Sequence, residues 1–321
     1  MIAQVVLAAI FLLILVTFKT PPEFSVRGER NFTLENFEAN LPFSFRKVQA
    51  LSLKEKAEAK VDPELEAKSA YIFDIKENKI LYEKNALEIR PLASLSKLMT
   101  ALLLIERVSD SATVPISEEA RLQAGWDGLE AGESYKKERL SDLMLAASSN
   151  DAAWAAGQFA GGNIENFVSM MNARARSLGL GSMSFSNPHG LDILTASGDI
   201  PGASGSAKEI GQLFTFIHKN YAELLTKTRA ARFKIVSQEG RVINAKNTNE
   251  ALKDIPQLIA SKTGSTQLAG GNLVFIFDAG FDHPILVSIL GSSDKGRFSD
   301  AKKITDAVLR YFEEKNGFKR S

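Results

Sequence analysis

Residues Pro91–Glu106 read PLASLSKLMTALLLIE, and they set Ser94 and Lys97 at the head of a run with almost no polar face. Leu98, Met99, Ala101, Leu102, Leu103, Leu104 and Ile105 cover every side of a helix, and a helix that is apolar all round is a buried one. Three-residue spacing puts Ser94 and Lys97 on one face, about one turn apart. Ser94 near the N-terminus lies at the positive end of the helix dipole, which favours a nucleophilic alkoxide and a developing oxyanion. The S-x-x-K spacing occurs five times: Ser44–Lys47, Ser94–Lys97, Ser134–Lys137, Ser292–Lys295 and Ser299–Lys302. A solvated serine and lysine is its ordinary meaning. Only Ser94–Lys97 opens a strongly apolar helix, where a free lysine is not buried without a purpose.

The chain of 321 residues is long enough for a full core, with 45% apolar and 24% charged residues. Lys+Arg 39 against Asp+Glu 38 leaves no field suited to nucleic acid. There is no cysteine, which removes disulfides, thiol nucleophiles and thiolate metal sites together. The three histidines, His189, His218 and His283, lack paired-ligand spacing, so neither a metal nor another cofactor is expected. No G-x-S-x-G elbow supports a Ser-His-Asp triad.

Residues 2–18, IAQVVLAAIFLLILVTF, hold one polar residue, Gln4, and sit at the lower length limit for a membrane-spanning helix. A basic leader and small residues at a cleavage site are lacking, so an uncleaved N-terminal anchor is favoured over a cleaved signal segment. Residues 19–60 read as a tether, opened by Pro21 and Pro22 and unusually rich in phenylalanine. A folded domain is expected over 61–321. Within it, Ala70–Asp74, Lys79–Tyr82, Leu258–Lys262, Leu273–Asp278 and Ile285–Leu290 read as strands. Helices are expected around Ser141–Ala147, Ala152–Ala160, Ile164–Leu178, Ser206–Lys219 and Asp300–Glu314. Strands at both ends and helices between predict an α+β fold, an antiparallel sheet with a helical insertion.

Two further motifs join S-x-x-K: Ser148-Ser-Asn150, an S-x-N between two helical stretches, and Lys262-Thr-Gly264, a K-T-G at the end of an apolar run. The trio in this order marks penicillin-binding proteins and class A β-lactamases. The likeness extends through SAYIFD (Ser69–Asp74), RPLASLSKLMTALLLIE (Arg90–Glu106), SSNDAAWAAGQFAGG (Ser148–Gly162) and FSNPHGLD (Phe185–Asp192). It continues through Asn247-Thr-Asn249, SKTGSTQLAGGNLV (Ser261–Val274) and LGSSDKGRFSDA (Leu290–Ala301). From Val61 to Phe312 the chain resembles the D-alanyl-D-alanine carboxypeptidase family, the low-molecular-mass penicillin-binding proteins. Their transpeptidase fold, shared with β-lactamases, implies an antiparallel sheet flanked by helices, with a helical subdomain. The middle of S-x-N, usually glycine in that family, is Ser149 here.

The resemblance implies that Ser94 attacks the carbonyl between two D-alanines and forms an acyl-enzyme. Lys97 would be its base, kept neutral by burial and by Lys262. Ser148 would relay a proton from Lys97 to the leaving amine, and Asn150 would hold the substrate amide and Lys97 together. Lys262 and Thr263 would bind the terminal carboxylate of a peptidoglycan stem peptide. Gly264 would let the peptide lie close to the strand, and the N–H groups of Ser94 and Ser265 would form the oxyanion hole. β-Lactams are expected as covalent inhibitors, and the cytoplasmic membrane as the partner of residues 2–18. Arg297 matches a position near the carboxylate pocket but reads equally as solvated, and His189 reads as structural. A D,D-endopeptidase on the same fold stays open. A class A β-lactamase is disfavoured, because no glutamate between Asn150 and Lys262 has an asparagine four residues on. A non-catalytic cell-wall scaffold is disfavoured by the presence of both Ser94 and Lys97.

Overall fold

The structure is a computed structural model that describes residues 61–315 apart from 126, 127 and 281, all within one compact unit, Ala59–Ser321. The expected anchor (2–18) and tether (19–60) lie outside the described residues. Among the described residues, no helix is long and apolar enough to cross a membrane.

The chain opens with an antiparallel hairpin, β1 (Ser69–Asp74) and β2 (Lys79–Lys84). A short strand β3 (Arg90–Pro91) leads through a 3₁₀ turn, Ala93–Ser96, into α1 (Lys97–Arg107). Strand β4 (Thr113–Pro115), short helix α2 (Glu118–Arg121) and strand β5 (Ser134–Lys136) follow, with β4 and β5 paired. Helix α3 (Lys137–Asp142) ends in a π turn, Leu143–Ala147, before α4 (Asn150–Gly161) and α5 (Ile164–Ser177). Strands β6 (Ser184–Phe185) and β7 (Ala203–Gly205) make a small sheet with β3. Helix α6 (Ala207–Asn220) and a 3₁₀ segment, Ala222–Arg229, precede the hairpin β8 (Arg232–Val236) and β9 (Val242–Lys246). The chain then runs β10 (Leu258–Thr266), β11 (Gly270–Asp278), β12 (Pro284–Ser292) and α7 (Gly296–Lys315).

The main sheet has the order β10-β11-β12-β1-β2, antiparallel throughout, and joins the first and last strands of the domain. Both faces are covered. Along β11, Val274 and Ile276 belong to the core that holds α1, α4 and α6, while Leu273, Phe275 and Phe277 belong to the core under α7. That period-two division explains why the sequence there is continuously apolar. The expected α+β architecture is therefore observed. The β8–β9 hairpin was not expected, although its alternation (Phe233, Ile235, Ile243 and Ala245 buried) is legible. The expected helix at Ser141–Ala147 is α3 followed by the π turn.

Among the described residues, the other S-x-x-K lysines have structural partners. Lys137 is buried too, but it donates to the Val108 carbonyl at 2.5 Å and pairs with Asp110 at 2.6 Å, closing the C-terminal end of α1. Lys295 pairs with Glu250 and Lys302 with Asp306 on the surface. Ser44–Lys47 lies outside the described residues.

One buried side chain ties the 3₁₀ turn of Ser94 to the sheet. Asn272, on β11, donates to the Pro91 carbonyl at 3.0 Å and accepts from the Gly291 N–H at 2.8 Å. Asn272→Ala removes the partner of both half-buried groups and leaves a gap in place of a buried side chain, so it is expected to cost about 1–3 kcal/mol. Chemical denaturation checks the value, and a loss below about 1 kcal/mol counts against the tie.

Candidate active site

Two strained residues flank the site's serines. Ala93, at φ 50°, precedes Ser94, and Ser148 itself has φ 61°. Left-handed backbone at a non-glycine residue costs about 1–2 kcal/mol and persists only where surrounding packing holds it. At Ala93 the support is the Asn187–Gly190 turn. Gly190 (φ 82°) lies so close that a Cβ there would collide with the Ala93 carbonyl and the Ser96 hydroxyl. At Ser148 the π turn ends and α4 begins, a place where π geometry often marks function. Ser149, the middle residue of S-x-N, has ordinary dihedrals and caps α4, accepting from the Ala152 N–H at 3.1 Å. The capping role thus belongs to Ser149 and leaves the Ser148 hydroxyl free for the site.

Lys97 lies wholly inside the protein. Its Nζ is 2.8 Å from Ser94 Oγ, 2.7 Å from Asn150 Oδ1 and 2.8 Å from the His189 carbonyl. Asn150 Nδ2 donates to the Ala124 carbonyl, which fixes Oδ1 toward the lysine. The His189 carbonyl is held by its turn: Asn187 Oδ1 accepts from the Gly190 N–H, and Thr100 Oγ1 donates to the Pro188 carbonyl. Two of the three Lys97 partners can only accept. A neutral amine satisfies both with its two N–H bonds and turns its lone pair to Ser94. Burial, and then the charge of Lys262, hold Lys97 well below the ordinary lysine range, while Asp151 opposes them.

Lys262, on β10, is buried as well. Its Nζ donates to Ser148 Oγ at 2.9 Å and to the Thr263 carbonyl at 2.6 Å. Burial, and then Arg297, lower its pKa to about 7. Ser148 was expected to face Lys97; its hydroxyl instead accepts from Lys262, while the three Lys97 bonds go to Ser94, Asn150 and His189. Thr263 Oγ1 shares a 2.6 Å hydrogen bond with Thr248 Oγ1. Gly264 lies against the serine turn: a Cβ there would stand 2.9 Å from the Leu92 carbonyl and 3.2 Å from the Ser94 nitrogen. Only glycine lets β10 approach so closely. β10 ends the sheet, so beyond Gly264 its outer edge runs beside Ser94 with no paired strand among the described residues.

All eight expected residues therefore cluster where β10 meets the serine turn and the start of α4. Sequence reasoning missed three contributors. The carbonyls of His189 and Ala124 act through backbone atoms, which no residue type announces. Arg297 was left undecided. It is 12% exposed, and Nη1 donates to the Gly264 carbonyl at 2.7 Å. His189 is neutral: burial and Lys97 lower its pKa to about 3. Its Nδ1 accepts from the Leu191 N–H, so Nε2 donates to Gln123 Oε1.

The buried lysine has a consequence for folding. The unfolded chain keeps Lys97 protonated up to about its ordinary pKa of 10.5, whereas the folded protein gives up that proton at a lower pH. Between that lowered value and about 10.5 folding releases a proton, so stability rises with pH up to about 10.5, where the unfolded lysine also loses its charge. Relative to Lys97→Met, the wild type is expected to gain stability as pH rises toward about 10.5, by at most about 1.4 kcal/mol per pH unit. Denaturant midpoints of the two proteins check this, and parallel pH dependences would contradict it.

The family model of D-alanyl-D-alanine carboxypeptidase, peptidase S11, matches residues 55–291. D-alanyl-D-alanine carboxypeptidase DacF of Bacillus subtilis is 31% identical over 268 residues, 80% of this chain and 65% of that protein. A D-alanyl-D-alanine endopeptidase of Escherichia coli is 28% identical over 235 residues, 70% of this chain and 72% of that one. The chain thus spans about two thirds of the length of these curated relatives. The solved penicillin-binding protein D2 of Listeria monocytogenes, with ampicillin bound, superposes with a TM-score of 0.63 at 26% identity, covering 77% of this chain and 98% of that one. A D-alanyl-D-alanine carboxypeptidase of Mycobacterium tuberculosis shares the fold at a TM-score of 0.69 and 23% identity, covering 79% and 94%. The match over most of the described domain, on a site that gathers S-x-x-K, S-x-N and K-T-G, means that the chain belongs to the D-alanyl-D-alanine carboxypeptidase family.

Proposed function

We propose that this protein is a serine-type D-Ala-D-Ala carboxypeptidase that trims the terminal D-alanine from peptidoglycan stem pentapeptides. The observation that carries the reading is the buried Lys97 amine, aimed at Ser94 Oγ from 2.8 Å with two acceptors on its other bonds. The neutral amine takes the Ser94 proton as Oγ attacks the penultimate D-alanine carbonyl. The N–H groups of Ser94 and Ser265 stabilise the oxyanion that forms. Ser148 accepts from Lys262, so its own hydroxyl hydrogen is free to pass to the leaving D-alanine amine, and Lys262 replenishes it. Lys262, Thr263 and Arg297 take the terminal carboxylate, which in turn favours the charged form of Lys262. The extended peptide lies along the open edge of β10, with Asn150 on its amide. Water then attacks the acyl carbonyl and passes its proton by way of Ser148 to Lys262, while Lys97 returns its proton to Ser94 Oγ as that oxygen leaves, so that both lysines regain their starting states.

A second reading has a specific observation behind it. The Escherichia coli relative is an endopeptidase and covers a similar share of the chain. The same constellation would then cut D,D cross-links. Digestion of a pentapeptide muropeptide and of a cross-linked dimer, read by mass spectrometry, separates the two. Loss of a single alanine supports the carboxypeptidase, and release of monomers from dimers supports the endopeptidase.

The substrate class and the apolar run at 2–18 favour a domain outside the cytoplasmic membrane, anchored by that run. Fractionation is expected to recover the full-length protein with membranes. A mature N-terminus near Lys19 in the medium would reject the anchor.

β-Lactams are expected to acylate Ser94 and to leave slowly. The opened ring keeps its amine tethered to the acyl group, against the approach of water. A fluorescent penicillin should label the wild type and not Ser94→Ala, which loses only a hydroxyl and stays folded. Labelling of Ser94→Ala, or rapid loss of label with sustained drug hydrolysis, would overturn this.

A further inference from the structure

Asp294 lies on the turn between β12 and α7, outside S-x-x-K, S-x-N and K-T-G, and the steps above do not use it. Ser265 Oγ donates to Asp294 Oδ1 at 2.5 Å, and the same oxygen is 3.6 Å from Arg297 Nη1. Arg297 is 12% exposed and Asp294 is 69% exposed, so a carboxylate on a solvent-facing turn reaches back onto a largely buried cation. Both donors adjoin K-T-G, since Ser265 follows Gly264 and Arg297 donates to the Gly264 carbonyl.

The inner part of the pocket differs. The hydrogen bonds of Lys262 go to Ser148 and the Thr263 carbonyl, and Thr263 Oγ1 bonds Thr248. The protein therefore brings its own carboxylate to the outer donors of an anion pocket and none to the inner ones. A ligand carboxylate approaching Lys262 and Thr263 meets the charge of Asp294, an Arg297 already partly neutralised, and a Ser265 hydroxyl already engaged. Arg297 does not need Asp294 to hold its direction, because the Gly264 carbonyl and the Phe298 ring, 4.8 Å from its guanidinium carbon, already do so.

We propose that Asp294 is a specificity-determining residue: a resident carboxylate that occupies Ser265 and Arg297 in the free protein and is displaced by the terminal carboxylate of the incoming ligand. The role rests on the peptidase reading above. It sets a threshold for anionic ligands. A terminal carboxylate strong enough to take Lys262, Thr263 and Arg297 together displaces Asp294, and a weaker anion does not.

The test compares full-length wild type with Asp294→Asn and Glu250→Gln. Glu250 is a second carboxylate that acts on Arg297 through space, while its direct partner is Lys295. The readout is the second-order rate of acylation by benzylpenicillin and by its methyl ester, which lacks the anionic carboxylate. Asp294→Asn is expected to accelerate benzylpenicillin about two- to fivefold, the range of one exposed ion pair, with no gain for the ester and a smaller gain in Glu250→Gln. With a D-Ala-D-Ala peptide, KM falls and kcat holds. Three results overturn the role: an unchanged or slower benzylpenicillin rate, an equal gain for the ester, or an equal gain in Glu250→Gln. A slower rate would mean that Asp294 orients Arg297. Failure of both compounds to label even the wild type would instead overturn the peptidase reading.

Discussion

The site depends on one amine held out of water. Lys97 sits at the start of α1, where residues Lys97–Leu104 are all buried. An ammonium there would lack hydration, and Lys262 adds a second positive charge nearby. Neutrality is the economical solution, and a neutral lysine is a base. The surroundings meet the geometry that such a base needs. Asn150 is turned by the Ala124 carbonyl, and the His189 carbonyl is fixed by a turn that only Gly190 can make. These contacts consume the two N–H bonds and leave the lone pair for Ser94.

The second constraint is the closeness of β10 to the serine turn. Ser94 and Lys97 lie on the helical side and Lys262 on the sheet, so the distance between them depends on a joint. Gly264 allows near-contact, and Asn272 ties Pro91 to Gly291 across it. The Asn247–Asn249 segment braces β10 from its other side: Asn249 Nδ2 donates to Ser261 Oγ, and Thr248 meets Thr263. Strand, turn and brace thus converge on the residues of K-T-G. The remaining free edge is where a peptide can add as an extra strand.

Much of this was legible in the sequence. The apolar run after Lys97 reported a buried helix, and alternation or continuous apolarity reported the five strands of the main sheet. The three motifs reported the site, because their chemistry resides in side chains. What the sequence concealed resides in the backbone or in long-range pairing. The π turn before Ser148, the left-handed Ala93 and the accepting carbonyls of Ala124 and His189 carry no residue signature. The Ser148–Lys262 contact joins positions far apart in the chain, so Lys97 looked the natural partner. Lys137 is the converse case: a buried lysine at S-x-x-K spacing whose partners, Val108 and Asp110, make it a helix cap.

Catalysis by this site requires a neutral Lys97 in the free protein. That neutrality is tested most directly by NMR titration of the lysine side-chain nitrogens in isotopically labelled protein, with the Lys97 resonance assigned from its loss in Lys97→Met. The expected result is an amine whose midpoint lies well below the ordinary lysine value of 10.5. A Lys97 that stays an ammonium up to that ordinary value would contradict the account, because the residue facing Ser94 could then donate a hydrogen bond but could not take a proton.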